Sequence, residues 1–234
     1  MEAAREETVS VELVRSDPRT ELIEQCIRLD AEFRDLTKHD RSVEHDPKVW
    51  GYFKDKRDRD NDGNSKEYTS RFPCDRGRSY GPRPWSRVTA VMLHTTAEEM
   101  GWRRFVGLPA QLGVSHDDCA LLLFPLQDLV YHGHSLASRF SVGLEISGES
   151  ACTEKQVGIA RALVRYAVHE ILNNGGGVNG RVAIMAHRQS HRSRGNDPGR
   201  QIWRDVGEWA ITELGCTLGP VVGTGRSVDE WRPQ

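Results

Sequence analysis

No apolar run in this 234-residue chain is long enough to cross a bilayer, so no membrane insertion is expected. Cysteine is scarce and scattered: Cys26, Cys74, Cys119, Cys152 and Cys216 make an odd set without a C-x-x-C pair. Neither a zinc knuckle nor a dithiol redox centre is expected from that pattern, and the thiols read as reduced. An excess of one charge is missing too, with 32 Lys+Arg against 34 Asp+Glu for a net charge of −2. That balance gives no global attraction to nucleic acid or to an anionic membrane. The basic stretch "AHRQSHRSRGNDPGR" (186–200) has no Phe, Tyr or Trp interleaved with its arginines, which argues further against a nucleic-acid partner. Repeats and low-complexity tracts are absent. The opening "MEAAREETVS" is acidic and polar, the reverse of a signal peptide, so synthesis in the cytoplasm without a signal is expected.

What is present falls into two textures. Residues 1–80 are charged and poor in strand-like runs, and read as a helical extension followed by an irregular linker. "SDPRTELIEQCIRLDAEFRDL" predicts one helix, capped by Ser16 or Asp17, with Pro18 in its first turn. Its apolar stripe is Leu22, Ile23, Cys26, Ile27, Leu29 and Phe33. Asp58, Asp60, Asp62 and Gly63 copy the first half of a calcium loop. The twelfth position, where a bidentate glutamate belongs, is Thr69, so a solvated linker is the better reading.

Residues 81–234 read as one domain in which strands alternate with helices. Strand candidates are "VTAVMLH" (88–94), "QLGVS" and "ALLLF" around a hairpin turn at "HDDC", "DLVYHG", "SVGLEIS" and "VAIMAH" (182–187). Thr153 and Gln156 form a capping box for a helix with the stripe Val157, Ala160, Val164, Ala167, Val168 and Ile171. A last helix is expected from about Pro198 to Leu214, and an irregular tail from Gly215. The expected fold is α/β, a central mixed β-sheet flanked by helices, with the N-terminal helical extension attached.

Two apolar strands end in histidine, at His94 and His187, and Asp197 follows ten residues after the second. Ligands gather where strands end in open sheets, so the two imidazoles and the carboxylate could meet at one edge. Together they would make a three-donor zinc site with one position open, the catalytic arrangement. Taken singly, each residue has an ordinary role: a hydrogen-bonded strand end for the histidines, a helix N-cap for Asp197.

The pieces "VTAVMLHTT", "LVYHGHSLASRFSVGLEISG" and "AIMAHRQSHRSRGNDPG" resemble, in the same order, the zinc-dependent N-acetylmuramoyl-L-alanine amidases of the type 2 family, which includes peptidoglycan recognition proteins. The likeness covers roughly residues 85–212 and implies one zinc ion held by His94, His187 and Asp197. It also implies that Glu145, in "GLE", is the proton-transferring acid, and that His132, in "YHGH", stands against the substrate. By alternation alone, Glu145 shares a strand face with Ser141, Gly143 and Ser147, where it could equally be solvated. Many family members carry a lysine two residues before the third ligand. Here that position is Gly195, and Arg194 or His191 is left to supply the positive charge or touch substrate. The resemblance implies a peptidoglycan or muropeptide substrate and a monomer. Its site of action would be the cell wall after phage- or secretion-mediated release, or cytosolic wall fragments. A binding module without turnover is the alternative that Gly195 motivates.

Overall fold

The computed structural model describes residues 17–38, 79–96, 98–106, 108–133, 135–148 and 152–231. Helix α1 (Pro18–Arg28) starts where its signals lie: the Asp17 carboxylate accepts from Thr20 N at 3.1 Å, and Pro18 fills the first turn. The helix does not continue to Leu36 as expected. Asp30 adopts φ +50°, and the chain straightens into strand β1 (Glu32–Asp35). The edge of a sheet wins over helical propensity here, because β1 covers the otherwise unpaired backbone of a neighbouring strand. The calcium-like Asp58–Asp62 stretch lies outside the described residues.

The other strands are β2 (Ala90–Thr95), β3 (Leu112–Val114), β4 (Cys119–Leu122), β5 (Ser141–Ile146), β6 (Ala183–Ala186) and β7 (Thr217–Leu218). They form one seven-stranded sheet in the order β1-β4-β3-β5-β2-β6-β7. The β3–β4 pair is the antiparallel hairpin expected around "HDDC", and the remaining pairs are parallel. The fold is therefore α/β with a mixed sheet. "DLVYHG" is not a strand: Asp128 makes one isolated bridge to Pro82, and the chain then turns onto the sheet face, burying Val130 and His132.

One face of the sheet packs against helices. Val91, Leu93, Val142, Leu144, Ile146 and Ile184 meet helix α2 (Glu154–Asn173) through Ile159, Leu163, Val164, Ala167 and Ile171. The Thr153–Gln156 capping box closes the start of α2 in both directions. Helix α1 joins the same core through Leu22 and Cys26, each 1% exposed. Burial of a leucine of this kind is worth about 1.5–3 kcal/mol. Residues 18–35 thus share the sheet and the core, and the division expected at residue 80 does not separate two cores among the described residues.

A final helical span follows as Arg200–Ile202, Trp203–Glu208 and Trp209–Glu213, its middle part in π form. Trp203 is fully buried there, and its indole N–H donates to Glu208 Oε1 at 2.9 Å. The tail beyond Gly215 is more ordered than expected. β7 extends the sheet, Val222 N donates to Gln189 O at 2.8 Å, and Arg226 N donates to Arg188 O at 2.8 Å. No helix among the described residues is long and apolar enough to cross a membrane.

Candidate metal centre

The second sheet face carries the polar residues. On β2 the side chains of Ala90, Met92 and His94 alternate onto it, while Val91 and Leu93 enter the helical core. On β5 the same alternation brings Ser141, Gly143 and Glu145 to this face. Register does the rest: His94 stands directly beside Glu145, Met92 beside Gly143, and Met92 beside Met185 of β6. One step past Ala186 the chain leaves the sheet in a single 3-10 turn, His187–Gln189, so His187 ends up level with His94.

The predicted convergence of distant residues is present. His94 Nδ1 lies 2.8 Å from His187 Nδ1, and His187 Nδ1 lies 2.8 Å from Asp197 Oδ2. The three donor atoms all sit within 4.8 Å of one another. Asp197 is aimed by its second oxygen, Oδ1, which accepts from Thr95 N at 3.0 Å, and by its backbone carbonyl, which accepts from Arg188 N at 2.8 Å.

The donor set fits a metal. His187 Nδ1 has one in-plane orbital, so a single linear hydrogen bond there satisfies only one of its two 2.8 Å contacts and leaves the other close pair of electronegative atoms without one. A cation removes that conflict. Tetrahedral zinc with bonds of about 2.0–2.2 Å keeps its ligand atoms roughly 3.3 Å apart, so the two 2.8 Å contacts need to lengthen by only about half an ångström.

Burial, reinforced by the neighbouring His187 and His132 rings, holds His94 neutral well below its ordinary range. Neutral imidazole is the form that binds a metal. Glu145 Oε1 is 3.9 Å from His94 Nδ1, with a side chain 14% exposed. Burial pushes its carboxyl up to about 8, the Asp197 charge adds to the rise, and Arg194 opposes it. Arg194 is therefore close enough for its charge to be felt at both Glu145 and His94.

Two expected substrate contacts are placed differently from one another. His191 is half-buried, its Nδ1 accepting from Ser193 N at 3.2 Å to cap the turn that carries Arg194. His132 is not at the surface. It is 6% exposed, lies behind His94, and has both ring nitrogens bonded: Nδ1 to His94 Nε2 at 3.0 Å and Nε2 to Ser141 O at 3.1 Å. Its ring occupies the space that Gly143 leaves open, where a Cβ would lie 2.5 Å from His132 Cγ. Burial holds it neutral, with its pKa lowered to about 3.

The arginines of the basic stretch also separate. Arg188 is 4% exposed, paired with Glu230 at 2.6 Å and stacked 4.2 Å from the Trp231 ring, so it neither solvates the loop nor meets a ligand. Arg200 donates to Glu230 O at 2.6 Å. Arg194 is left beside the site, where its charge reaches Glu145 and His94, while Arg192 is exposed and its backbone N donates to Thr224 Oγ1 at 3.3 Å. Gly195 has ordinary helical-region backbone, φ −53°, and a Cβ there would meet only the Arg226 guanidinium and Arg192 O, no closer than 3.6 Å.

Sequence reasoning missed Arg83 and Gly143. Arg83 is 6% exposed and donates to Ser138 O at 2.5 Å and Ser141 O at 2.7 Å. For Gly143 a signal existed: glycine between Ser141 and Glu145 on the polar face marks a close approach. For Arg83, in "GPRPW", no periodicity pointed to burial.

No protein-family model matches the chain, and no curated protein matches its sequence. Among solved structures, it is similar to Drosophila peptidoglycan recognition protein LB at 12% identity, covering 63% of this chain and 89% of that one, with a TM-score of 0.43. Peptidoglycan recognition protein LE, solved with tracheal cytotoxin, gives 16% identity, coverage of 58% and 90%, and a TM-score of 0.45. The N-acetylmuramoyl-L-alanine amidase LysC of Clostridium intestinale gives 14% identity, coverage of 55% and 91%, and a TM-score of 0.42.

Proposed function

We propose that the chain is a zinc-dependent amidase that cleaves the bond between N-acetylmuramic acid and L-alanine in peptidoglycan or muropeptides. The observation that carries this reading is the meeting of His94 Nδ1, His187 Nδ1 and Asp197 Oδ2 beside an acid, Glu145, that is not part of the donor triangle. Three protein donors are the count of catalytic zinc sites. The sequence stretches that resemble type 2 amidases support the choice of substrate.

His94, His187 and Asp197 would hold the ion. When bound, zinc supplies Lewis acidity, which acidifies water and polarises a carbonyl. Glu145 takes the proton of the attacking water and passes it to the departing amide nitrogen. Its place beside the donor cluster and outside it suits a group that accepts and then donates a proton there. Arg194 faces the negative charge that grows on the carbonyl oxygen. A guanidinium approaches that oxygen differently from the ammonium of a lysine, so the rate it supports differs as well. His191, which caps the turn that carries Arg194, is assigned to substrate contact.

The test is zinc analysis of the purified protein with digestion of intact sacculi beside isolated muropeptides. One zinc per chain and a new L-alanine amino terminus are expected, both lost in His94→Ala. Turnover that survives His94→Ala sinks the mechanism. A recognition module without turnover is the second reading, favoured by the missing side chain at Gly195. Muropeptide binding with zinc present and no released amino terminus selects it.

A further inference from the structure

We propose that His132 and Arg83 are positioning residues that fix which nitrogen of His94 carries the proton, and so aim a lone pair at the centre of the donor cluster. The proposal rests on the reading of that cluster as a metal centre, although the proton assignment itself follows from hydrogen bonding alone.

The assignment starts far from the cluster. The Ser141 hydroxyl lies 2.7 Å from Ala137 O, a carbonyl that can only accept, so the hydroxyl proton is spent there. Toward His132 Nε2, Ser141 therefore presents two acceptors, its backbone O at 3.1 Å and its Oγ at 3.3 Å. His132 Nε2 must be the donor. Arg83 works on the same carbonyl: it donates to Ser141 O at 2.7 Å and places a fixed positive charge beside His132. In the neutral ring, buried beside that guanidinium, the only proton is therefore on Nε2.

His132 Nδ1 then carries a lone pair and accepts at 3.0 Å from His94 Nε2, which must hold the His94 proton. His94 Nδ1 is left unprotonated, pointing toward His187 Nδ1 at 2.8 Å and Glu145 Oε1 at 3.9 Å. Outer partners commonly orient metal-binding histidines in this way, most often as a carboxylate or a carbonyl. Here a neutral imidazole is interposed between the carbonyl and the ligand. Gly143 makes room for it, since any Cβ at that position would strike the His132 ring.

The decisive measurement is a long-range proton–nitrogen correlation spectrum of the metal-free protein with labelled histidine. Both His94 and His132 are expected as neutral rings protonated on Nε2. Protonation of His94 on Nδ1 overturns the proposal, whether or not the protein binds zinc. A second measurement is zinc affinity by chelator competition. His132→Phe, which fills the pocket without accepting a hydrogen bond, should weaken zinc about 10–100-fold. His132→Asn, which keeps an acceptor near the Nδ1 position, should recover part of that loss. Wild-type affinity in His132→Phe overturns the proposal. The expected protons on a wild-type protein that takes up no zinc would refute the metal centre and leave the proton assignment standing.

Discussion

At the scale of single residues, the site divides into groups that do chemistry and groups that aim them. Under the proposed function Glu145 is of the first kind, because it lies beside the cluster without belonging to it. Glu145→Gln preserves shape and removes the ability to carry a proton. We expect kcat for muropeptide cleavage to fall about 10²–10⁴-fold, with zinc stoichiometry unchanged by metal analysis. Loss of zinc in the same variant would make Glu145 a ligand. Gly143 is of the second kind. Gly143→Ala puts a methyl group 2.5 Å from His132 Cγ and 2.8 Å from Nδ1, and both the ring and the strand must shift. Overpacking of this sort costs about 1–3 kcal/mol, which chemical denaturation measures, and the displaced ring should weaken zinc as well. The meeting of the three donors was legible because two histidines close apolar strand runs, where alternation and strand length determine what faces what, whereas Asp197, in the bend before Gly199, was picked out by its spacing and by the family resemblance. His132 stood out in the sequence as a substrate contact, but its buried position behind His94 did not. Its depth depends on "DLVYHG" folding down onto the sheet, which a strand-like pattern does not reveal.

At the scale of elements, the N-terminal segment shows where periodicity stops being informative. The cap at Asp17 and the stripe through Leu22 and Cys26 were readable, whereas the break at Asp30 was not: Phe33 continues the helical stripe equally well in a strand. Only the demand of β4 for a parallel partner, met as Glu32↔Cys119 through Asp35↔Leu122, decides the matter. The consequence is testable. Leu22 is 1% exposed within the main core, so Leu22→Ala should destabilise the whole protein by about 2–5 kcal/mol. Urea unfolding followed by tryptophan fluorescence would report it as a lower midpoint with an unchanged slope. A midpoint that stays at the wild-type value would mean that residues 18–35 are an appendage after all.

At the scale of the whole molecule, the tail beyond Gly215 closes the architecture around the loop that supplies two of the three donors. Gln189 is held twice, by its side chain donating to Gly219 O at 2.7 Å and by its carbonyl accepting from Val222 N at 2.8 Å. Arg188 is covered by Trp231 and paired with Glu230, while its own backbone N–H binds Asp197 O. The path from the C-terminal aromatic to the third donor is therefore short: Trp231 seats Arg188, and the Arg188 backbone sets Asp197. Trp231 is 7% exposed, and Trp231→Ala should cost about 3–5 kcal/mol. Stability alone would not distinguish a clasp from ordinary core packing. If the tail sets donor geometry, Trp231→Ala should also weaken zinc under conditions where the variant is still fully folded, whereas Leu22→Ala, remote from the loop, should not. Chelator competition on both variants, each checked by circular dichroism, makes the comparison. Equal zinc affinities in the two would reduce the tail to a source of stability and leave Asp197 aimed by Thr95 and its own loop.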